Sequence, residues 1–428
     1  MKDSGGRTMT MRPTDAPGST VMNHGSAAGM SRITPALCAD WITGVVLVFA
    51  VILTLVVPDV AAAENRVPDS TPTCTLQTGV APTRLATLAR GFNLTGWLDS
   101  TSPRAPDEKA LAALLQRGLT HVRLPVTPEG LSEAFSSRDQ VEAKLKALDH
   151  AIDRIIALGF GVSLDVHPGD KLGRLHAANP DRGLELIKGV WQVLARRYAD
   201  RPVDRLYYEV LNEPTVSERL WNDQGPRLVD MIRRAAPNHT IIYGPANYQQ
   251  ISALAEIPPL ADTNVVYAVH FYAPMIFTHQ GLDWSDDPLR HLHGVPFPAR
   301  LSDRSVTQLL SSLTMSGRDE SAMLLRAQLR EPWTEERVAD QIAGAAAWTS
   351  RHRRPVILNE FGVLRWKAAP ADRTRWLRTV RRAAERNCIG WAHWDYADGF
   401  GFMQRIGDRE FPDQASLDAL VEKGAAKR

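Results

Sequence analysis

The sequence predicts an α/β protein with the (β/α)8 barrel (TIM barrel) fold, forming a single domain with a long loop after the sixth strand. From Gly91 onward, short apolar runs alternate with amphipathic stretches that have helical spacing, as in parallel sheets with helical crossovers. The apolar runs number eight, which favours a closed barrel over an open doubly wound sheet. No Gly-x-Gly-x-x-Gly motif follows the first run, so a dinucleotide-binding fold lacks its main support.

The predicted strands are short runs of mostly apolar residues. In chain order they are residues 91–94, 121–126, 161–167, 206–211, 240–244, 265–271, 355–358 and 390–394. Between the second and third strands, apolar residues from Val141 to Ile156 recur every three or four positions, which predicts a helix that ends at Gly159. We therefore expect helices to alternate with strands around the barrel.

The longest connection, residues 273–354, separates the sixth and seventh strands. Its first part, through Arg304, is rich in Pro, His and Trp and is interpreted as an active-site loop. Residues 335–351 are predicted to form the helix that enters strand seven. The sequence contains no internal repeat, low-complexity linker or second domain.

Composition and charge favour a globular protein with a neutral ligand. The chain has 428 residues, of which 44% are hydrophobic and 23% charged, enough to bury a large core. Lys and Arg number 50 against 48 Asp and Glu, and this balance argues against nucleic acid or an anionic membrane surface as the main partner. Eleven Trp and eight Tyr provide flat apolar faces of the kind on which sugar rings stack.

Residues 1–63 are interpreted as an N-terminal extension with a signal peptide, and residues 64–428 as the barrel domain. An apolar segment from Trp41 to Val57 follows Arg32 and precedes Ala61-Ala62-Ala63, which has the small residues of a cleavage site. We therefore expect a secreted or periplasmic protein without stable membrane association. The segment has about 17 residues, the lower limit for a bilayer span, so a membrane anchor is the alternative. Met30 would give a leader of ordinary length, which suggests a translation start downstream of Met1.

Cysteine usage leaves two interpretations open. Of the three cysteines, Cys38 lies in the predicted leader, which leaves Cys74 and Cys388 in the mature chain. In an exported protein these two residues could form a disulfide, or they could be two buried thiols. A metal site is poorly supported, because the sequence has neither Cys-x-x-Cys nor paired histidines at helical spacing.

Polar residues collect at the carboxyl ends of the predicted strands, where barrel enzymes place their chemistry. They are Arg123 in strand two, Asp165 and His167 at strand three, Asn212 and Glu213 at strand four, His270 and Tyr272 at strand six, Glu360 at strand seven, and Trp394 at strand eight. Any one of them could be a structural residue, but so many at one rim predict a functional site.

Two of these residues are glutamates that suit glycoside hydrolysis. Glu213 lies in Asn212-Glu213-Pro214 after strand four, and Glu360 lies in Asn359-Glu360-Phe361-Gly362 after strand seven. In a retaining glycosidase one carboxyl protonates the leaving oxygen, and the other attacks the anomeric carbon from the opposite face. The pair therefore predicts an acid/base and a nucleophile.

The motifs, taken in order, resemble glycoside hydrolase family 5, the cellulase family of the retaining clan A, from Gly91 to Tyr396. The matching segments are Gly91-Phe92-Asn93, Val122-Arg123-Leu124-Pro125, Asp165-Val166-His167, Asn212-Glu213-Pro214, His270-Phe271-Tyr272, Asn359-Glu360-Phe361-Gly362 and Trp394. The resemblance implies a (β/α)8 barrel that hydrolyses β-glycosidic bonds without a cofactor.

The resemblance also implies roles for the reacting residues. Glu213 would be the acid/base and Glu360 the nucleophile, with Arg123 and Tyr272 hydrogen-bonding the nucleophile. A guanidinium and a phenol beside Glu360 would favour its charged form. Glu213 must start protonated, so we expect it in a less cationic setting. Glu209, lower on strand four, is interpreted as a paired structural carboxylate inside the barrel.

Further residues are implied to contact the sugar. Asn212 would hold the sugar 2-hydroxyl, His167 and His270 would line the subsite at the cleavage point, and Trp394 would form its floor. The segment from Phe277 to Gly281, followed by Trp284, resembles the loop after strand six in bacterial members of the family. Trp284 is therefore a candidate sugar platform, with a role as a loop anchor as the alternative.

The leading functional hypothesis is an exported endo-β-1,4-glucanase that acts on a β-linked polysaccharide with retention. A β-mannanase, a xyloglucanase or a β-1,3-glucanase of the same family is the alternative. A carbohydrate-binding protein without catalysis is disfavoured, because it would normally lack one of the two glutamates. A barrel for phosphorylated metabolites would need a Gly-rich cradle after strands seven and eight, and Asp398-Gly399-Phe400-Gly401 matches one poorly.

Overall fold

A computed structural model describes residues 78–407 and 409–422, all of which belong to the compact unit Pro68–Arg428. The predicted leader, its cleavage site, the domain boundary at residue 63 and Cys74 lie outside the described residues, so the predictions about them stay predictions. Cys388 is disulfide-bonded. Among the described residues, no helix is both long and apolar enough to cross a bilayer.

Eight parallel strands form a closed barrel in sequence order, which confirms the predicted fold class. The strands are β1 (Arg90–Asn93), β2 (His121–Val126), β3 (Gly161–Val166), β4 (Leu206–Glu209), β5 (Ile241–Tyr243), β6 (Val265–Phe271), β7 (Val356–Phe361) and β8 (Gly390–His393). Nearly all of their residues are buried, because helices cover the outside of the barrel and side chains fill its interior. Strands of this kind appear in a sequence as continuous apolar runs, which explains why all eight could be located.

The helices lie between the strands, before β1 and after β8. They are α1 (Pro82–Thr87), α2 (Glu108–Gln116), α3 (Arg138–Leu158), α4 (Asp170–Ala178), α5 (Pro180–Arg197), α6 (Glu218–Ala235), α7 (Met275–Thr278), α8 (Arg304–Met315), α9 (Asp319–Gln328), α10 (Glu335–His352), α11 (Pro370–Arg386) and α12 (Gln414–Leu420). The helix predicted before strand three is α3, which begins with a capping box between Ser137 and Gln140 and ends at Gly159, where φ is +107°.

Three parts of the fold differ from the expectation. The connection from β6 to β7 contains, besides the predicted α10, the short helix α7 and helices α8 and α9, for which the sequence analysis made no prediction. Strand β4 ends at Glu209, before Asn212, and β7 extends to Phe361, past Glu360. After β8, an antiparallel pair of strands, β9 (Met403–Ile406) and β10 (Arg409–Pro412), lies outside the barrel.

Candidate active site

The two glutamates predicted to react lie close together at the carboxyl end of the barrel. One carboxyl oxygen of Glu213, one of Glu360 and one ring nitrogen of His270 all lie within 4.8 Å of one another. The Glu360 side chain is 7% exposed, whereas that of Glu213 is 31% exposed. The structure therefore brings together a buried carboxylate and a more accessible one.

Irregular strand pairing places Glu360 in this position. Along β6 and β7, Val269 pairs with Leu358, but the next residue, His270, pairs with Glu360. The extra residue in β7 is Asn359, and a bulge of this kind changes the direction of the side chains that follow it. Glu360 consequently lies beside His270, with 3.5 Å between a carboxylate oxygen and the ring Nδ1.

Two donors hold the Glu360 carboxylate, and both were expected from the sequence. The Arg123 guanidinium donates to Oε1 at 2.6 Å, and the Tyr272 hydroxyl donates to Oε2 at 3.0 Å. Burial, with the charge of Glu360, raises the pKa of Tyr272 well above its ordinary value, so the phenol keeps its proton and remains a donor. Thr278 donates to the backbone carbonyl of Tyr272 at 2.6 Å, so the loop after β6 supports this residue.

Arg123 is the centre of a buried ionic network. Its guanidinium donates to both oxygens of Glu209, at 2.7 and 2.8 Å, and lies 3.0 Å from an oxygen of Asp165. It also donates to the side-chain oxygens of Asn93 at 2.8 Å and Asn212 at 2.9 Å. Burial alone would lower the pKa of Arg123, but the nearby carboxylates raise it well above its ordinary value. Arg123 therefore stays charged and orients several residues of the site at once.

Glu209 occupies the structural role expected of it. It is buried, and besides Arg123 it accepts a hydrogen bond from the Asn359 side chain at 2.8 Å. Burial raises its pKa, although Arg123 opposes that change. Glu209 thus connects Arg123 with the bulge residue of β7.

Glu213 has an unusual backbone conformation for a glutamate. Its φ angle is +39°, in the left-handed region that residues with a side chain rarely occupy and that costs about 1–3 kcal/mol. The Glu213 amide donates to the side-chain oxygen of Gln249 at 2.9 Å. Because the chain leaves the extended conformation here, consecutive residues need not point to opposite sides. Asn212 and Glu213 can therefore face the same site.

The surroundings of Glu213 are more cationic than expected. His270 Nδ1 lies 2.9 Å from one of its carboxyl oxygens. Burial raises the pKa of Glu213, but the hydrogen bond and charge of His270, with smaller effects from His167 and Arg123, outweigh burial and lower the pKa overall. In the free protein these neighbours therefore favour the ionised form of Glu213, which must gain a proton before it can act as an acid.

His167 and Asn212 line the same side of the site. His167 Nδ1 lies 2.8 Å from an oxygen of Asp165, and its Nε2 lies 3.3 Å from the Asn212 amide nitrogen. Burial lowers the pKa of His167, but the charge and hydrogen bond of Asp165 outweigh burial and raise it. The Trp394 ring stacks on His167 with 5.7 Å between ring centroids. Trp394 is half-buried, so part of its ring stays accessible.

Trp284 lies in a separate group of aromatic residues at the rim. It is 56% exposed and contacts the rings of His279, Trp366 and Phe400, with centroids 6.1–6.3 Å apart. His279 and Phe400 also contact the ring of Tyr272, at 5.0 and 5.9 Å. The group thus connects Trp284 to the residue that donates to Glu360. Its role as a sugar platform stays a prediction.

A family model described as cellulase (glycosyl hydrolase family 5) matches residues 81–398, which is most of the chain and includes the two glutamates and every residue predicted to support them. The chain belongs to glycosyl hydrolase family 5. The barrel is therefore a glycoside hydrolase domain, as the motifs predicted.

Proteins of known name resemble this family 5 chain over most of its length. Endoglucanase 3 of Fibrobacter succinogenes is 26% identical over 335 residues, 74% of this chain and 50% of its own, so this chain spans half the length of that relative. Endoglucanase C of Acetivibrio thermocellus is 24% identical over 323 residues, 72% of this chain and 90% of its own.

Solved structures agree with the family assignment. Endoglucanase Cel5A of Thermotoga maritima is 25% identical with a TM-score of 0.65, and the match covers 80% of this chain and 100% of that one. The cellulose synthase subunit CcsZ of Clostridioides difficile is 25% identical with a TM-score of 0.62, and the match covers 78% and 99% of the two chains.

Several residues of this family 5 site were not assigned a role from the sequence. Asn93 and Asn359 bind the Arg123 network, and Gln249 binds the Glu213 backbone. Asn93 and Asn359 stand within motifs that were recognised, and a polar residue inside an apolar strand was their available signal. Gln249 had no such signal, because it lies on the loop after β5 among other polar residues.

Glu213, His270 and Glu360 are also the residues that could hold a metal ion within the described part of the chain. His270 Nδ1 contacts one carboxyl oxygen of Glu213, and the two Glu360 oxygens accept hydrogen bonds from Arg123 and Tyr272. The hydrogen bonds give a sufficient reason for their proximity. The prediction that the site uses neither metal nor cofactor stays a prediction.

Proposed function

We propose that this protein is an exported endo-β-1,4-glucanase that cleaves β-glucan with retention of the anomeric configuration. The observation that carries the proposal is the pair Glu213 and Glu360, with oxygens within 4.8 Å, in a chain of family 5. Retaining glycosidases hold their carboxyl groups about 5–5.5 Å apart, whereas inverting enzymes need about 6.5–9.5 Å to admit a water molecule. The names of the endoglucanase relatives support glucan as the substrate.

In the proposed first step, Glu360 attacks the anomeric carbon while Glu213 gives its proton to the leaving oxygen. The bond between the anomeric carbon and that oxygen breaks, and an ester forms between the sugar and Glu360. The hydrogen bonds from Arg123 and Tyr272 support this role, because they fix the direction of the attacking carboxylate. Glu213 is the more accessible carboxyl, which suits contact with a leaving group.

In the second step, water attacks the anomeric carbon and Glu213, now ionised, takes a proton from it. The ester to Glu360 breaks, and the original configuration returns. His270 supports the change of role, because its Nδ1 contacts Glu213 and can stabilise the ionised form. These neighbours lower the pKa of Glu213, so once it has delivered its proton they favour the ionised form that a base requires.

The sugar at the cleavage point would lie between Trp394 and the polar residues of β3 and β4. Trp394 offers an accessible ring face, and Asn212 and His167 offer polar atoms beside it. Trp284, with its exposed ring, would contact a sugar farther along the chain. Because specificity among β-glycans depends on such outer contacts, mannan, xyloglucan and β-1,3-glucan are the competing substrates to test.

The proposal is tested by incubating the purified protein with β-1,4-glucan, β-1,3-glucan, xyloglucan and β-mannan and measuring new reducing ends. β-1,4-Glucan should give the highest rate, with a rapid fall in viscosity that marks internal cleavage. Proton NMR during early turnover should show the β-anomer first. An initial α-anomer would contradict retention, and activity on mannan alone would replace the substrate assignment.

Azide separates the roles of the two glutamates. With Glu213→Ala, azide should produce a β-glycosyl azide, because the nucleophile survives and a small anion needs no base. With Glu360→Ala, turnover should be nearly lost and no β-glycosyl azide should form. Glu336→Ala, an exposed change on α10, is the matched control and should behave as the unmodified protein does. The reverse azide result would exchange the two roles.

A further inference from the structure

The turn after β5 contains a concentration of rare backbone conformations. Asn247, Tyr248 and Gln249 have φ angles of +55°, +56° and +50°, and none of them is glycine. With Glu213 they account for four of the six non-glycine residues that have positive φ in the described part of the chain. Residues persist in this region only where their surroundings hold them, and such residues cluster at functional sites. The positive φ angles of this turn and of Glu213 therefore suggest that the turn serves the active site.

Gln249 connects this turn to Glu213. Its side chain is fully buried, and its amide oxygen accepts the hydrogen bond from the Glu213 backbone amide at 2.9 Å. The Gln249 amide nitrogen is also buried and has no hydrogen-bond partner. A buried side chain that leaves one donor unpaired is costly. Packing could be provided by an apolar side chain of the same size. The hydrogen bond to the Glu213 amide is what requires the Gln249 oxygen.

Gly244 provides the space that Gln249 occupies. A Cβ atom built on Gly244 would overlap with the amide nitrogen of Gln249 and lie 2.7 Å from its amide carbon. Gly244 does not have positive φ, so its lack of a side chain is needed for this close approach rather than for its backbone conformation. The position of the Gln249 amide thus depends on the absence of a side chain at Gly244, directly after β5.

Gln250, the residue after Gln249, contacts His270, which is the other residue that binds Glu213. The backbone of Gln250 forms an isolated parallel bridge with His270. His270 in turn contacts the Glu213 carboxyl through Nδ1 at 2.9 Å. Consecutive residues of one turn therefore reach Glu213 from both ends: Gln249 binds its backbone, and Gln250 binds the histidine that contacts its carboxyl.

We propose that Gln249 is a positioning residue that holds the Glu213 carboxyl in the direction needed to protonate the leaving oxygen. The inference rests on the proposed role of Glu213 as the acid. Without the Gln249 oxygen, the Glu213 amide would lose its partner, and the left-handed conformation would lose the contact that holds it. Relaxation of φ would then move the carboxyl away from the leaving oxygen, and a displacement of about 1 Å can cost on the order of 10²-fold in rate.

The test compares two substrates that differ only in their need for a proton. Phenyl β-cellobioside has a basic leaving group that needs acid assistance, whereas 2,4-dinitrophenyl β-cellobioside has one that departs without it. The measured quantity is kcat/KM, because it reports the first chemical step and not the later hydrolysis of the ester. Gln249→Met keeps the shape of the side chain and removes the acceptor. It should lower kcat/KM about 10²-fold for the phenyl substrate, with a much smaller loss for the dinitrophenyl substrate.

Three further variants keep the test decisive. Gly244→Ala displaces the Gln249 amide without changing it, so it should reproduce the same selective loss even if Gln249→Met folds poorly. Gln249→Glu retains an acceptor oxygen and should recover more phenyl-cellobioside activity than Gln249→Met. Gln224→Met removes a different buried glutamine, which binds His176 and Pro180 on the outside of the barrel. It should change the two substrates equally.

The outcomes separate this inference from the proposed function. An equal loss on both substrates for Gln249→Met and Gly244→Ala would show a general structural role and overturn the positioning role. If Glu213→Ala fails to produce a selective loss on the phenyl substrate, the acid assignment itself is wrong and the inference falls with it. A selective loss for Glu213→Ala but not for Gln249→Met or Gly244→Ala would reject the inference and leave the proposed function intact.

Discussion

Replacing Arg123 by Met should destabilise the barrel and remove activity through the loss of one guanidinium. Its five N–H donors are all used, on Glu209, Glu360, Asn93 and Asn212, and the group also lies 3.0 Å from Asp165. Methionine fills a similar volume but offers no donor and no charge. Three buried carboxyl groups would then lose the guanidinium that lies between them.

The magnitude follows from the burial of this network. The side chains of Arg123, Asp165 and Glu209 are at most 1% exposed, so water cannot replace the lost contacts. Removing one partner from a buried ion pair typically costs about 3–5 kcal/mol. At about 2–4 °C per kcal/mol, this cost corresponds to a fall in Tm on the order of 10 °C. Loss of the donor to Glu360 should also lower kcat by much more than the unfolded fraction accounts for.

The assay is thermal unfolding followed by circular dichroism, with turnover measured well below Tm. Arg233→Met is a matched control, because Arg233 also makes five hydrogen bonds but meets a single carboxylate, Asp262, away from the paired glutamates. It should lower Tm by a smaller amount and leave the activity of the folded protein unchanged. A Tm for Arg123→Met within about 2 °C of the unmodified protein would refute the role of Arg123 as the shared counter-charge.

Four further predictions concern the aromatic floor, the acid, a buried aspartate and the leader. Trp394→Ala should weaken transition-state binding by about 3 kcal/mol and so lower kcat/KM on the order of 10²-fold. A large fall in Tm with unchanged activity per folded molecule would indicate a packing role instead. His270→Asn should move the alkaline limb of the pH profile of kcat/KM to higher pH. Activity is lost as Glu213 ionises, and His270 lowers the pKa of Glu213, so its removal should raise that pKa. An alkaline limb at unchanged pH would contradict this. Burial and Asp398 raise the pKa of Asp395 from 3.8 to about 7, so the contribution of Asp395 to stability is fully present below pH 3.8 and falls by about 4 kcal/mol as the pH rises to 7. Asp395→Asn should remove that loss and raise Tm relative to the unmodified protein at pH 8 but not at pH 4. N-terminal sequencing of exported protein should find a chain that begins near Glu64, whereas a full-length chain in the membrane fraction would favour the anchor.

The sequence was sufficient for the barrel because its strands are buried on both faces. A strand of this kind has few polar residues, so a charged residue such as Arg123 inside one was a strong signal of function. The positions of Glu213 and Glu360 after or within such strands placed both at one rim. Contacts of Arg123 and Tyr272 with Glu360, expected from the family resemblance, are present in the structure.

Other features of the site depend on backbone irregularities that no periodic pattern records. The bulge at Asn359, which places Glu360 beside His270, is one residue in an otherwise regular strand. The left-handed turn that holds Gln249 contains no glycine, the residue that usually signals such a turn. The cationic surroundings of Glu213 likewise depend on His270, which approaches from another strand. These features depend on contacts between segments that are far apart in the sequence, which a local pattern does not record.

The ring of strands closes between β1 and β8, and this closure joins the first strand to the residues beside the nucleophile. Asn93 donates to the carbonyl oxygen of His393, 300 positions away, and to that of Asn359, while its own side-chain oxygen accepts from Arg123. Contacts over such separations form late, because the intervening chain must be ordered first. We therefore expect that a chain that stops before Gly390 contains both glutamates but lacks the closed barrel that holds Asn93 and Arg123 beside Glu360.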